Sequence, residues 1–531
     1  MYAIVKKVER ANISKPKEPT AFRGNPGTFS YAVSYNGEKN LGEIGPIKDY
    51  KLDYDALRMR SWQCYLESEI ARTIINKFII WKIGTGLNLQ CNPNQVVLKS
   101  EGIILEEGFT ESFNELAENR FSIYSNSIKC DYSGMNKLHQ LAWQVDKNAT
   151  IGGDVLVILR YVDKWLKVEI KDGQHVCNPL GVSDYLSTVQ ANGNRICNGI
   201  ELSPSGEHIA YWVRTAPSGT IQYKYERVEA KSQTTGLTMA YLVYGDKHRL
   251  DNYRGIPLLA VVLESLKKLE RYKEATIGSA EERQKIVFAI EHNEISDGSN
   301  PMLSQMVKAQ NYNEKTDELP EDVSGVQLAD NIAATTNKQT YNLPRGAKLS
   351  QLTSDNELAF KDFYDTNINI VAACMGIPPN VAMSLYNDSF SASRAALKDW
   401  EHVLNVSRQQ HSDQFMDPIY KFWAHIEILT NKINAPGYLQ AFMSGNSMIV
   451  DSYLSTHYTG ANVPHIDPLK EVKAEREKLG ITAETIPLTT VEAATRALNG
   501  GESDSNMKQY SRELKRSKKL YIIAPKPKEK T

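Results

Sequence analysis

The sequence is poor in the residue patterns that most enzymes and metal proteins need. It has six cysteines in 531 residues: Cys64, Cys91, Cys130, Cys177, Cys197 and Cys374, none closer than 20 residues to the next. No CxxC pair exists, so no zinc knuckle or thioredoxin-like pair is encoded, and isolated thiols of this kind act as small buried apolar groups. The ten histidines are scattered; His402 and His411 stand nine apart, and there is no HExxH. No GxxxxGK[ST] occurs to cradle nucleotide phosphates, and no GxSxG elbow to carry a serine nucleophile. Gly84-Thr-Gly86 lacks the third glycine of a dinucleotide fingerprint and follows a helical pattern rather than a strand. The longest apolar run, Ile256 to Leu263, has eight residues. A membrane helix needs about 20. Met1 to Glu9 shows no apolar leader region, so neither a secretory signal nor a membrane span is expected.

Charge of one sign is also missing. There are 62 basic and 63 acidic residues, a net charge of −1. That sum excludes a uniformly basic nucleic-acid coat and an acidic solvating tail. With 41% hydrophobic and 24% charged residues the chain reads as globular. Its length allows about three domains, or one elaborate subunit.

The order of patterns along the chain is mixed. Residues 1–50 are turn-rich and read as a partly ordered arm. Over 53–82, Leu66, Ile70, Ile74, Phe78 and Trp81 form one apolar stripe and predict a helix that Gly84 stops. Further helices are expected near Glu111–Tyr124 and over 133–146. Between 150 and 250 the pattern changes to short β-rich runs (155–161, 165–170, 208–214 and 239–244) separated by Gly, Asn and Pro. Gly152-Gly153-Asp154 reads as a turn before the first of these strands. Residues 254–285 return to helix, with Pro257 in its first turn and Leu259, Leu263, Leu266, Leu269 and Tyr272 on one face. Residues 291–330 carry nine acids against Lys308 and Lys315, a net of −7. A helix over 355–376 ends at Gly376-Ile-Pro-Pro379. A polar loop follows, then a long helix from about Ala392 to Lys432 that Pro418 should kink or interrupt. Small helices are expected over 467–480 and 489–498. From Lys508 to Lys530 a tail carries seven Lys and two Arg against Glu513 and Glu529. Disorder is the common fate of such a tail. The adjacent carboxylates Glu281-Glu282 and Glu321-Asp322 point apart and read as surface charge, not as a two-metal site.

Several segments together resemble the lambda-type portal proteins of tailed bacteriophages. The strongest is Met375-Gly-Ile-Pro-Pro379, a loop with Tyr386-Asn-Asp-Ser389, and Ser391-Ala-Ser-Arg-Ala-Ala-Leu397 opening a long helix. In family order the others are Arg58-Met-Arg60-Ser61, Gly84-Thr-Gly-Leu87, Asn198-Gly-Ile-Glu201, Tyr253-Arg-Gly-Ile-Pro257, Leu343-Pro-Arg-Gly346 and Ile466-Asp-Pro-Leu-Lys-Glu471. The resemblance spans roughly 55–500. It departs in the loop, which is not a clean YSS, and in the acidic segment.

The resemblance implies an α+β portal fold with a helical stem, an α/β wing, a polar clip and a small helical C-terminal crown. Residues 1–253 would be arm and wing, 254–285 and 355–377 the stem, 286–354 the clip, 378–393 the tunnel loop, 394–464 the long wing helix and its return, and 465–531 the crown and basic tail. It implies a homo-oligomeric ring, usually of twelve copies, at one capsid vertex of the virion, assembled in the host bacterial cytoplasm. Double-stranded DNA would pass through it without sequence specificity. The terminase large subunit, the major capsid protein with its scaffold, and a head–tail adaptor would be partners. No catalytic residue, metal, cofactor or membrane contact is implied.

The candidate channel residues are Asn380, Met383, Tyr386, Asn387, Asp388, Ser389, Ser391 and Arg394. The loop has one acid and no base, and a surface along which DNA slides should avoid strong cation–phosphate contacts. The candidate partner-binding residues of the clip are Glu314, Asp317, Glu318, Glu321 and Asp322. Two alternatives stand beside the ring-forming portal: another head–tail connector or baseplate component, and a DNA-processing enzyme with a cryptic site.

Overall fold

The computed structural model describes residues 54–179, 188–189, 192–215, 224–247, 252–290, 339–342, 360–384, 390–461, 468–480, 487–499 and 503–519. The chain divides into two compact units, residues 1–263 with 371–531, and residues 264–370.

The larger unit begins with α1 (Tyr54–Glu67) and α2 (Glu69–Ile83). The apolar stripe predicts one helix here; the structure has two. Ser68 takes extended backbone (φ −88°, ψ 120°), and its side chain accepts the Ala71 N–H as the N-cap of α2. The stripe therefore starts one turn later. Ile70, Ile74 and Phe78 are buried, whereas Leu66 is 68% exposed. Strand β1 (Asn88–Cys91), α3 (Gln95–Ser100), α4 (Phe109–Ser125) and α5 (Leu138–Gly152) follow. The helix expected over 133–146 is thus shifted toward the C-terminus.

The β-rich region contains all four expected strands, within two sheets. One has the order β3-β2-β9, from β2 (Asp154–Val162), β3 (Trp165–Asp172) and β9 (Ala240–Tyr244). The other is a five-stranded antiparallel meander of β4 (Thr188–Val189), β5 (Arg195–Cys197), β6 (Ile200–Leu202), β7 (His208–Thr215) and β8 (Lys224–Glu229). Strand β2 reads as a continuous apolar run because both its faces are covered. Val155, Val157 and Leu159 enter a core with α4 and α5, while Leu156 and Ile158 enter a second core with Ile200, Leu202, Tyr211 and Val213 of the meander. Burial on two faces removes the alternation that a half-exposed strand shows.

The smaller unit holds most of α6 (Leu263–Lys285), then β10 (Ile286–Ile290), which pairs in parallel with β11 (Gln339–Asn342), and the first part of α7 (Phe360–Cys374). The two helices meet through Tyr272 and Phe363, whose ring centroids are 4.5 Å apart. The predicted helix over 254–285 is shorter at its start. Pro257 precedes a single 3₁₀ turn, Leu258–Val261, and α6 begins only at Leu263.

Within the larger unit the chain continues with α8 (Pro379–Met383) and the long helix α9 (Phe390–His411). A π-helical turn, Ser412–Met416, leads into α10 (Asp417–Leu429). The interruption expected at Pro418 takes this form. Proline supplies no N–H to the preceding turn, and a wider turn absorbs the mismatch without ending the helix. Then come α11 (Tyr438–Ser444), α12 (Ser447–Tyr453) and β12 (Thr456–Thr459), which pairs antiparallel with β1. The small helices expected near the C-terminus are α13 (Pro468–Lys478) and α14 (Val491–Asn499). The first part of the basic segment, for which disorder is the common fate, lies in helix α15 (Ser503–Lys519). Lys, Arg, Glu and Gln are good helix formers and nothing in 503–519 breaks the run; residues 520–530 of the tail lie outside the described residues.

Candidate functional site

The motif Met375-Gly-Ile-Pro-Pro379 is a helix stop followed by a helix start. Gly376 has φ +68°, a left-handed conformation in which a side chain is strained. Its N–H reaches the Ala373 carbonyl (2.9 Å), and the Ile377 N–H reaches that of Ala372 (2.9 Å). This paired 5→2 and 6→1 arrangement closes α7, with Ile377 buried after it. A Cβ on Gly376 would stand 3.1 Å from Val403 of α9, so the turn lies directly on the long helix. Pro378 takes ψ 134°, as a residue before proline should, and Pro379 opens α8 where its missing N–H costs nothing.

The expected tunnel loop is thus helical at both ends. Asn380 lies in α8, where its side chain accepts the Val381 N–H (2.8 Å), and Met383 is the half-buried last residue of α8. Ser391 and Arg394 lie in the first turns of α9. Tyr386, Asn387, Asp388 and Ser389 fall outside the described residues, as do Glu314, Asp317, Glu318, Glu321 and Asp322. Arg394 is about half exposed, and its Nη2 lies 3.9 Å from Glu471 of α13. It is therefore engaged, at long range, with the Ile466-to-Glu471 element.

Sequence reasoning missed the residue that holds this segment. Lys77, on α2, donates from Nζ to the carbonyls of Val381 (2.7 Å) and Ala382 (3.0 Å) and to the Ser384 hydroxyl. The ammonium thus uses all three of its donors as a C-terminal cap on α8, more than 300 residues away in sequence. Burial pushes the Lys77 pKa down from its ordinary value. In a Lys77→Met chain, amide exchange over 380–384 should speed up by roughly tenfold, about 1–2 kcal/mol of local opening for a half-exposed charge-assisted cap. Exchange in β2 should not change. Equal rates over 380–384 in both proteins would remove Lys77 from this role.

The long helix is anchored one level down. Arg408 donates to the carbonyls of Trp81 (2.7 Å) and Lys82 (3.0 Å) at the end of α2, and to Ala461 (2.6 Å). These satisfy terminal carbonyls that α2 cannot satisfy itself. Beside it, Lys82 Nζ reaches Asp146 Oδ1 on α5 (2.6 Å), and His411 Nδ1 lies 3.3 Å from the same oxygen. His411 is buried at the start of the π turn, and neither of its ring nitrogens makes a well-aligned hydrogen bond to the described residues. Burial pushes the His411 pKa down, and Lys82 adds to that against the pull of Asp146. Burial alone would raise the Asp146 carboxyl; Lys82 and His411 hold it well below the ordinary carboxylate range.

Three of the remaining motifs converge on one buried carboxylate. Asp154, at the first position of β2, is fully buried. It accepts Arg254 Nε on Oδ2 (2.6 Å) and Arg254 Nη2 on Oδ1 (2.8 Å). It also accepts Arg58 Nη2 on Oδ1 (2.5 Å) and the Gly255 N–H on Oδ2 (2.9 Å). Arg254 spends its other donors on the carbonyls of Val176 (2.7 Å), Asn198 (2.9 Å) and Gly173 (2.6 Å). Asn198-Gly199 form the two-residue turn between β5 and β6, both with positive φ, as a type I′ hairpin requires. Gly255 passes so close to the Gly153 carbonyl that a Cβ would stand 2.0 Å from it. Arg58-Met-Arg60-Ser61, Asn198-Gly-Ile-Glu201 and Tyr253-Arg-Gly-Ile-Pro257 are therefore joined around Gly152-Gly153-Asp154. Their chemistry is architectural: two buried arginines on one buried carboxylate, with the partly exposed Asp172 3.8 Å from Arg58 Nε at the edge, tie α1, β2, the β5–β6 hairpin and the chain entering α6.

No group of His, Cys, Asp and Glu that could hold a metal occurs among the described residues, and no described helix is long and apolar enough to cross a membrane.

Comparison with known proteins gives the family. A family model described as phage portal protein, lambda family, matches residues 42–406. A curated relative, a probable portal protein of Halomonas phage phiHAP-1, is 24% identical over 269 residues, 46% of this chain and 48% of that protein. The chain thus spans about half the length of the curated relative it matches. Among solved structures, a chain from the virion of a native gene transfer agent particle aligns over 86% of this chain and 95% of its own. That pair has 11% identity and a TM-score of 0.37. A chain from the neck of a native gene transfer agent particle, computed with C12 symmetry, aligns over 79% of this chain and 97% of its own, with 9% identity and a TM-score of 0.30. Likenesses this distant carry no argument about assembly. The class is defined by the family match: the portal proteins of bacteriophages. Within that class the chain belongs to the lambda family.

Proposed function

We propose that the protein forms a closed homo-oligomeric ring, of about twelve copies, at one capsid vertex, and that double-stranded DNA enters and leaves the virion through its channel. The observation that carries the channel reading is the segment between α7 and α9. It is pinned at its base by Gly376, the Pro378–Pro379 start of α8 and the Lys77 clamp, and it carries one acid and no base over 378–393. Such a segment can touch a moving duplex without holding it by cation–phosphate contacts, each of which would slow translocation. Asn380, Met383, Tyr386, Asn387, Asp388, Ser389 and Ser391 are the proposed channel residues, with Arg394 tied back toward α13. The acidic residues Glu314, Asp317, Glu318, Glu321 and Asp322 are proposed as contacts for the terminase large subunit or the head–tail adaptor, and the body of the ring as the contact for major capsid protein and scaffold.

A head-to-tail ring needs two unlike faces on each subunit. The larger unit exposes large apolar side chains on unlike elements, among them Val96 and Met448, and Ile123 and Met135. Light scattering and negative-stain microscopy should show closed rings of about twelve subunits. A protein that stays monomeric or dimeric under all conditions would overturn the reading. Deleting 385–389, between the two helices, should leave rings intact while DNA packaging or retention falls at least tenfold. Packaging at the undeleted level would remove the segment from the channel. Purified protein should hydrolyse neither ATP nor DNA; activity that survives repurification would favour the enzyme alternative.

A further inference from the structure

Helix α15 carries an electrostatic surface that the channel reading does not use. At 100° per residue, Lys508, Arg512, Lys515, Arg516 and Lys519 fall within an arc of about 100° on one face. They extend over about 16 Å of helix. The opposite arc is the one turned inward: Leu514 and Ser517 are partly buried and Ser503 is buried, and α15 packs beside α14. Arg512, Lys515 and Arg516 are exposed, and among the described residues no carboxylate pairs with any of them. The nearby acid Glu513 lies off this arc and is engaged by Gln509 (2.9 Å). From Ser503 to Lys519 six bases oppose Asp504 and Glu513, a net of +4, in a chain whose total is −1. Three more lysines, Lys526, Lys528 and Lys530, follow in the sequence.

We propose that this face of α15 binds the phosphate backbone of double-stranded DNA. The inference stands on the helix and not on passage of DNA through the ring. A row of cations on one helix face, with Arg512, Lys515 and Arg516 exposed, suits a partner with a dense, regular array of like charges. A duplex presents one phosphate charge per 1.7 Å of axis, and cations that contact it release its condensed counterions, which makes the association favourable at low and moderate salt. The stripe is long enough to span a major groove about 12 Å wide and meet phosphates on both walls. No base-reading pattern accompanies it, so binding should be independent of sequence.

The test is fluorescence anisotropy of a labelled 30-base-pair duplex against the full-length protein over a series of salt concentrations. Binding should weaken linearly in log–log form. The variant Arg512→Gln/Lys515→Gln/Arg516→Gln should bind at least tenfold more weakly, with a slope shallower by about 2–3, since each lost phosphate contact removes about 0.9. The charge-conserving variant Arg512→Lys/Arg516→Lys should bind within about threefold of the parent, which separates loss of charge from loss of the helix. Two duplexes of unrelated sequence should bind alike. The proposal is overturned if the triple Gln variant keeps the parent's affinity and slope. It is also overturned if poly-glutamate at equal charge displaces the duplex completely, because the surface would then recognise acidic chains in general.

Discussion

Asp154→Asn should cost the larger unit about 3–5 kcal/mol. The substitution keeps the shape of the side chain and removes its charge. It would leave Arg58 and Arg254, both almost fully buried, facing each other with only the partly exposed Asp172, 3.8 Å from Arg58 Nε, as a counter-charge. In the intact protein burial raises the Asp154 pKa and Arg254 and Arg58 more than reverse it, so the carboxylate is held below its ordinary range. Arg254 is correspondingly raised, against the effect of burial, by Asp154. Arg58 is lowered, by burial first, with Arg254 adding to it. The two arginines are therefore not equivalent. Arg254 has a partner for each of its N–H-bearing nitrogens, whereas among the described residues Arg58 Nε and Nη1 make no hydrogen bond and Nε has only Asp172, 3.8 Å away. Arg254→Met should accordingly destabilise more than Arg58→Met. Urea unfolding of the three variants checks the order. An Asp154→Asn midpoint equal to that of the parent, or Arg58→Met as damaging as Arg254→Met, would show that the cluster does not hold these elements together.

Asp146→Asn should be the next most damaging change, at about 2–4 kcal/mol, because it strips the counter-charge from Lys82 at a site where α2, α5 and the long helix meet. The same cluster sets a pH dependence. His411 has its pKa lowered in the folded protein, so the unfolded chain binds more protons as the pH drops below the ordinary histidine value of about 6.5. Its stabilising contribution is complete above that pH and is lost as the pH falls toward the folded value. Asp146 is also lowered, so its contribution disappears in a separate, more acidic window, below the ordinary carboxylate value of about 4. Thermal melting between pH 7.5 and 5 should show a decline in the parent that His411→Gln lessens, since glutamine cannot take up a proton; the remainder comes from His208 and His425, whose pKa values burial also lowers. A decline of the same steepness in His411→Gln would assign it to other groups. The π turn gives this position added weight, because the side chain sits where the helix is widened to accommodate Pro418.

Much of this architecture is legible along the chain. The apolar stripes of α2, α6 and α10, the short β-rich runs and the GIPP turn are local patterns, and local physics produces them: periodicity, caps, and the φ limits of glycine and proline. The errors also have local causes. Ser68 breaks a helix that the stripe alone would continue, since a capping serine acts through one hydrogen bond and leaves no mark on hydrophobic spacing. The tunnel segment reads as a loop because α8, from Pro379 to Met383, is too short to show a period. The basic C-terminal run leaves its order open in the sequence, since charge dominates it, yet up to Lys519 its charges are spaced to leave Leu514 and Ser517 on one side of a helix.

What the sequence determined by itself is the kind of protein this is. Six short motifs in family order mark a lambda-type portal, and the family match agrees. The lack of nucleotide, nucleophile and metal patterns leaves enzyme chemistry without support. Only the tertiary structure decided what those motifs do. Arg58, Asp154, Asn198 and Arg254 come from separate stretches up to 196 positions apart, and their shared hydrogen bonds leave no periodic trace in any one of them. Lys77 is the clearest case. In the sequence it is one more polar residue on an amphipathic helix, and its role arises because folding brings α2 to the open carbonyls of α8. Short-range patterns encode elements, because propensity and burial act residue by residue. A buried charge needs a partner in space, and the chain alone does not state where that partner stands.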